Sequence, residues 1–381
     1  MAGYDLGLDT ILTGFDKETC WVHARAGVIP GENPSVVLTM QKLLLSGSDV
    51  FYELHYMRTD DMGCSWSGPN EHRTLMRRPF DAGREIAVSD FTPGWHQATG
   101  TMLGIGHTVV YEGTHIPYER PRHTAWSVYD QDERSWSVWD RVAMPDDPRF
   151  ENCGAGCSQW LELDDGTLLV PVYFRVPSHP FTSVTVMRCA FDGKTVVYLS
   201  HGDELRYESE RGLGEPSIAY SNGRYFLTIR HDTTGFVSVS DNAVHWSEPK
   251  EWTFDDGSAL GSYNTQQHWI THNDDIYLVY TRRAGFNDHV FRHRAPLFMG
   301  KVDHERMCII RDSEQVVVPE RGARLGNFGT TAVSPDETWV TVTEWMQPVG
   351  CEQHGSDNAL FISRIRWDQP NELCDFRPSA S

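Results

Sequence analysis

The sequence is short of positive charge: 33 Lys and Arg face 53 Asp and Glu, a formal net charge of −20. A surface that acidic repels polyanions, which argues against nucleic acid or an anionic membrane as partner. It leaves room for a local Arg and His pocket that holds a small anion. No apolar run is long enough to span a bilayer. No linker or low-complexity segment divides the 381 residues. The N-terminus, Met1-Ala-Gly-Tyr-Asp-Leu-Gly-Leu-Asp9, lacks the basic and apolar regions of a secretory leader. The expected compartment is cytoplasmic, or secreted or periplasmic if a leader has been removed. Cysteines are scattered, at 20, 64, 153, 157, 189, 308, 351 and 374. Only Cys153 and Cys157 are close, and a structural zinc site would need a second pair, so free thiols are expected.

What is present is a repeat. Asp61, Asp132, Asp192, Asp241, Asp303 and Asp368 follow one another at intervals of 71, 60, 49, 62 and 65 residues. Each comes just after an alternating apolar stretch, such as Glu53–Arg58, Val184–Phe191 or Leu360–Trp367. A strand followed by an acidic turn, repeated at this period, is the mark of a β-propeller. The expected fold is therefore all-β: a single propeller over residues 1–381, six-bladed by repeat count. The irregular stretch Pro69–Pro93 is the place where a seventh blade would hide. Closure removes exposed sheet edges, and the segment near 17–30 is the expected N-terminal strand that closes the ring. Most of the 13 Trp are expected to pack between blades, with some free to stack on sugar rings.

A second pattern marks strand pairs within the blades: an apolar stretch, a polar turn, and a second apolar stretch with a polar end. Gln159–Arg175, Pro216–Arg230, Gln267–Arg282 and Thr331–Trp345 are four copies. Asp165-Gly166 and Asn222-Gly223 supply hairpin turns. Arg175, Arg230 and Arg282 close three successive copies. His96, His107, His115, His268 and His289 fall on inner strands or on the loops above them. Each Arg alone also fits a blade-to-blade bridge, but together they suit a funnel that binds a carboxylate, because the guanidinium fork matches it bidentately. The polar cluster Tyr263–Trp269, with Gln266, Gln267 and His268, would plug the channel or contact sugar hydroxyls. The segment Asn287–Arg294, with His289 and Arg292, reads as a loop over the funnel. No spacing identifies a metal and no cofactor is expected, although a structural divalent cation such as Ca2+ is compatible with the central channel.

Thr59-Asp-Asp-Met-Gly-Cys-Ser-Trp66 fits the Asp-box pattern, and Asp130–Trp136 and Ser240–Trp246 are degraded copies. Asp boxes are rim turns in which the Asp side chain bonds its own backbone. In this respect the chain resembles the sialidase-like propeller superfamily. Gly214–Arg230 looks like the sialidase segment that carries an acidic residue and a substrate-carboxylate arginine. The resemblance implies that Arg230 holds a sugar carboxylate with Glu215 near the reaction centre. Ala24-Arg-Ala-Gly-Val-Ile-Pro30 is similar to the sialidase Phe-Arg-Ile-Pro motif. The chain departs from retaining sialidases where their tyrosine nucleophile lies: Phe328 stands there.

The spacing also resembles propeller lyases that cleave uronate linkages, the ulvan lyases and the rhamnose–glucuronate lyases. These use two His about twenty residues apart and an Arg about sixty further on. His96, His115 and Arg175 stand 19 and 60 residues apart, and Arg230 matches a further Arg. The ulvan enzymes' additional Tyr has no counterpart near Cys157–Trp160. The expectation is an exo-acting lyase that releases a terminal sugar such as L-rhamnose from α-1,4-linked D-glucuronate by β-elimination. His96 and His115 would transfer protons, with His107 and Tyr173 in reserve, and Arg175 and Arg230 would stabilise the enolate-like intermediate. The alternative is a sialidase-like hydrolase of an acidic sugar using carboxylates among Glu215, Asp61 and Glu344. A sugar-binding propeller without catalysis is the third reading. The partner in every case is an acidic oligosaccharide or polysaccharide; nothing in the chain sets an oligomeric state.

Overall fold

The computed structural model describes residues 3–47, 49–117 and 120–373; Cys374 lies outside them. Six antiparallel sheets are arranged as blades. In blade order, the innermost strands are Thr19–Ile29, Arg84–His96, the broken pair Cys153–Gly154 and Leu161–Glu162, Gly214–Ser221, His268–His272 and Gly329–Ser334. Five of the six acidic repeat positions follow the third strand of their blade, and Asp303 ends its own. Those strands are Phe51–Thr59, Thr124–Asp130, Ser183–Phe191, Gly235–Ser240, Leu297–Asp303 and Leu360–Trp367.

The turns explain the repeat. Asp61 accepts the Ser65 backbone N–H at 2.9 Å and the Thr59 hydroxyl at 2.8 Å. Asp192 and Asp303 each accept two backbone N–H groups in their own turns. In the degraded copies the role moves to Asp130 and Asn242. In the fourth blade, Asn222 and Gly223 both have positive φ between the paired residues Ser221 and Arg224. This is the two-residue hairpin that an Asn-Gly pair favours.

Closure differs in detail from the sequence expectation. Tyr4–Leu12 pairs antiparallel with Leu360–Trp367 as the outer strand of the sixth blade. Thr19–Ile29, expected to do this, is instead the inner strand of the first. No seventh blade is hidden in Pro69–Pro93. Ser67–Glu71 ends the first blade, and Arg78–Asp81 folds as a short hairpin onto the inner strand of the second. Six apolar clusters fill the six blade-to-blade seams, so the ring is sealed all the way round.

Strand direction places the chemistry. Inner strands begin at one end of the channel, where Gly214 and Glu215 line a cavity of about 420 Å³. They end at the other, where Ile218–Tyr220 line a separate cavity with Trp95 and Trp160. Gln159 crosses the channel between them: its amide bonds both polar groups of the Trp269 backbone and the Thr330 hydroxyl. The Asp-box turns, at the ends of third strands, lie on the face away from the Glu215 cavity, so Asp61 is structural. The described residues hold no group of three or more His, Cys, Asp or Glu that could bind a metal ion.

Candidate active site

The 420 Å³ cavity is a funnel lined by an unusual number of guanidinium groups: Arg120, Arg122, Arg175, Arg211, Arg230, Arg292, Arg294 and Arg324. Four carboxylates, Asp49, Asp90, Glu215 and Asp232, share it. Most of the arginines come from loops above the inner strands, where side chains from different blades converge.

The floor is built from strained backbone. His23, Asp90 and Glu215 have φ of 60°, 51° and 44°. Each lies at a break in the pairing of an inner strand, between Val22 and Arg25, Ser89 and Thr92, and Gly214 and Ser217. A bulge turns a side chain out of the alternating pattern, and left-handed backbone at a residue other than glycine costs free energy that clusters at functional sites. Here three bulges from three blades aim a histidine and two carboxylates into one space.

Asp90 is the hub. Its carboxylate takes Arg25 at 3.2 Å, His23 at 3.3 Å, His107 at 3.4 Å and the Cys157 thiol at 2.9 Å. Burial alone would raise its pKa, but these partners overcome that and hold it well below the ordinary carboxylate value. His107 faces Asp90 through Nε2 and the Tyr173 hydroxyl through Nδ1, at 3.2 Å. With Nε2–H directed to Asp90, Nδ1 is left as an acceptor for the phenol proton. Burial pushes the His107 pKa below 6.5 against the pull of Asp90, so the ring rests neutral. Burial also raises the Tyr173 phenol, although Arg122, 4.2 Å above its ring, opposes this. The phenol is therefore protonated at rest, beside a neutral base and under a cation that favours its anion.

The other walls hold the remaining arginines. Arg230 pairs with Glu215 and reaches the Asn264 side-chain oxygen at 2.8 Å. Arg211 pairs with Asp232. Arg294 and Arg324 are only 5% and 6% exposed, and among the described residues neither has a carboxylate within ion-pair distance. Burial, reinforced by neighbouring arginines, lowers Arg294 well below its usual value; burial lowers Arg324 to about 10.

Of the sequence candidates, the structure brings His107, Tyr173, Arg175, Glu215, Arg230 and Arg292 into this funnel. It separates His96 and His115. His96 ends the inner strand of the second blade at the far end of the channel, bonded to Thr99 and to the Gly166 carbonyl. His115 lies beyond the other end of Thr101–Tyr111, on an exposed loop beside Glu112. An eleven-residue strand separates them, roughly 30 Å at about 3.3 Å per residue, so they do not act on one substrate atom. Gln266, Gln267 and His268 are buried below the funnel. Gln266 accepts from Arg25, Gln267 accepts from Thr228, and His268 faces Ser217 at 3.0 Å. Arg282 is clamped by Glu314 and His289 by Glu320, both away from the cavity. Glu344 is buried and accepts two backbone N–H groups outside the funnel. Phe328 is fully buried with its ring against His268. Arg25, in the motif similar to Phe-Arg-Ile-Pro, is turned inward to Asp90 and Gln266 rather than toward the cavity.

Sequence reasoning missed Asp90, Asp49, Arg120, Arg122 and Arg211. Asp90 did leave a signal: a lone carboxylate inside the apolar run Ile86–Phe91 must find a buried partner.

The buried neutral histidines carry a stability prediction. Burial lowers His268 to about 3 and His123 to about 4, and it also depresses His23 and His107. The unfolded chain takes up these protons near 6.5 and the folded chain only below that, so stability falls as pH drops through 6.5. Each unit below 6.5 costs about 1.4 kcal/mol per fully buried ring. Urea unfolding across pH 7 to 4 should show a loss of several kcal/mol; a flat profile would contradict the buried neutral rings.

No family model matches the chain, and no curated protein matches it in sequence. Solved structures do match in fold. A Dyadobacter fermentans protein of unknown function superposes with a TM-score of 0.67 at 12% identity, covering 95% of this chain and 99% of that one. The Hadza microbial sialidase Hz136 gives 0.64 at 12%, covering 93% and 68%. The Trypanosoma rangeli sialidase gives 0.58 at 13%, covering 90% of this chain and 55% of its own length. With a six-bladed ring, Asp-box turns and these neighbours, the chain has the fold of the sialidase-like β-propellers.

Proposed function

We propose that this propeller is a carbon–oxygen lyase that cleaves an acidic oligosaccharide by β-elimination next to a uronate. The observation that carries the reading is the Tyr173–His107–Asp90 chain set beside Arg122 and Arg175 on one wall of the funnel. The proton at C5 of a uronate is too weak an acid to leave unaided at neutral pH. Guanidinium groups against the carboxylate stabilise the enolate-like intermediate. Tyr173 passes its proton to Nδ1 of His107 while its oxygen takes the C5 proton. The electrons of the C5–H bond form the C4–C5 double bond, and the C4–O bond breaks. Tyr173 delivers the abstracted proton to the departing oxygen and recovers its own from His107, so the cycle closes without any other reagent. Gln159 blocks the channel beneath, which favours a chain end over a chain threaded through, and thus exo action. A terminal L-rhamnosyl-glucuronate is the first substrate to try.

Hydrolysis is the second reading. It is supported by the sialidase neighbours and by Asp49 and Glu215 lining the same funnel. Incubation with rhamnosyl-glucuronate oligosaccharides separates the two. Elimination raises ultraviolet absorbance, from the conjugated unsaturated uronate, as rhamnose appears. Release of sugar with flat absorbance would overturn the lyase reading in favour of hydrolysis.

A further inference from the structure

The arginines of the funnel form two groups, one around Tyr173 and one around Asn264, and one carboxylate does not need both. Arg120, Arg122 and Arg175 surround Tyr173. Arg120 is depressed by burial and, among charged neighbours, mainly by Arg122 and Arg175. In the other group Arg230, Arg292 and Arg294 converge on a single atom: the Asn264 side-chain oxygen lies 2.8, 3.1 and 3.1 Å from them. An amide oxygen has two lone pairs and no net charge. Arg230 has Glu215 as its counter-ion, but for Arg292 and Arg294 the amide oxygen supplies no charge that would offset their repulsion. Asn264 is itself tied down, donating to Asp232 at 2.9 Å. Arg324 is buried over the Trp345 ring at 4.1 Å and donates to the uncharged Gln347 at 3.1 Å, with Asp49 beyond ion-pair distance. Nε atoms of Arg294 and Arg324 are buried without a hydrogen-bond partner. Buried charges without a counter-ion are costly and are normally paired. Two of them side by side, at the edge of an open cavity, mark a place where the ligand brings the charge.

We infer that the funnel has two anion subsites and takes a doubly anionic oligosaccharide: a uronate on the Tyr173 wall and a second anionic group, a sulfate ester or second carboxylate, on the Asn264 wall. This rests on the reading of the funnel as the active site and names its substrate class. The arrangement gives specificity as well as affinity, because a substrate without the second charge leaves the buried Arg294 and Arg324 without a counter-ion. Formal charge agrees: eight arginines against four carboxylates leave a surplus inside a chain whose net charge is −20.

Calorimetric titration of the whole protein with three disaccharides tests this: rhamnosyl-glucuronate, the same disaccharide with a sulfate ester on the rhamnose, and a diuronate. The sulfated and diuronate probes are expected to bind at least about tenfold more tightly than the singly charged one, corresponding to about 1.4 kcal/mol. A preference confined to one of the two identifies which group the second subsite takes. Arg292→Gln, at an exposed residue, should shrink the difference, and circular dichroism checks its fold. Arg324→Gln should do so too, and circular dichroism would establish that it folds. Equal affinity for all three probes, or a difference unchanged in Arg292→Gln, would overturn the inference. The ultraviolet assay on the same probes keeps the two readings apart. Tight binding of doubly charged probes without absorbance change would leave the two subsites standing and remove the lyase; elimination with no preference would do the opposite.

Discussion

Tyr173→Phe is expected to lower turnover of an acidic oligosaccharide by a factor of about 10² to 10⁴, the range for losing a positioned proton-transfer group. The ring stays, so its contact beneath Arg122 and its place beside Gly214 are retained; only the hydroxyl facing His107 is lost. Removing a phenol pushed up by burial relieves a desolvated polar group, so thermal unfolding should be unchanged or slightly higher. KM should move little, because the arginines that hold the substrate are untouched. The combination of lost kcat, steady KM and steady melting separates a chemical role from a structural one. Near-normal kcat in Tyr173→Phe would sink the elimination mechanism. The proton-accepting ring adds a pH signature. His107 is depressed below 6.5, so the acid limb of kcat/KM should fall below 6.5, and activity should be lost as the ring becomes protonated.

Asp90→Ala should cost about 3–5 kcal/mol of stability, the usual cost of removing one partner from a buried ion pair. Four groups lose their acceptor at once: Arg25, His23, His107 and Cys157. Arg25 is 1% exposed and would keep only Gln266 as a side-chain partner. A single domain is commonly stable by only about 5–15 kcal/mol, so the variant should melt far below the parent or accumulate unfolded. Asp90→Asn keeps an oxygen for Arg25 and removes the charge, and it should fall between the two. Urea unfolding of the three proteins checks the order. An Asp90→Ala midpoint close to the parent would mean that the Arg25 charge is not held by Asp90. Because Asp90 also orients His107, Asp90→Asn should lose activity beyond its loss of stability.

The fold was legible because its signals are local. A strand pair and an acidic turn depend on residues a few positions apart, so Asp61, Asp192 and Asp303 announced three blades and Asn222-Gly223 a hairpin. Even Asn242, one place along from Asp241, kept the repeat readable. The strand that closes the ring was harder to place: Tyr4–Leu12 pairs with Leu360–Trp367 across the whole chain, and no short-range pattern specifies such a partner. The surplus of arginine was legible as composition and as an end-of-strand pattern, and Arg175 and Arg230 do face the funnel.

The pairing of catalytic groups was not legible. His96 and His115 have an attractive spacing, yet an antiparallel hairpin carries residues on its two ends apart by the full strand length. Tyr173 and His107 are 66 residues apart and come from neighbouring blades, and Asp90 reaches them only because a bulge reverses the side chain that strict alternation would assign. By itself, the sequence determined a β-propeller with six repeat units, a strongly negative net charge and a set of arginines at the ends of its strands; that the stretch Pro69–Pro93 adds no seventh blade was decided by the tertiary structure. Periodicity, charge and turn chemistry are properties of short segments, and each survives without knowledge of the rest. Only the tertiary structure decided which arginines share a wall, which are left without counter-ions, and which phenol meets which imidazole. Those are distances between blades, set by bulges, loop paths and burial, and no spacing along the chain encodes them.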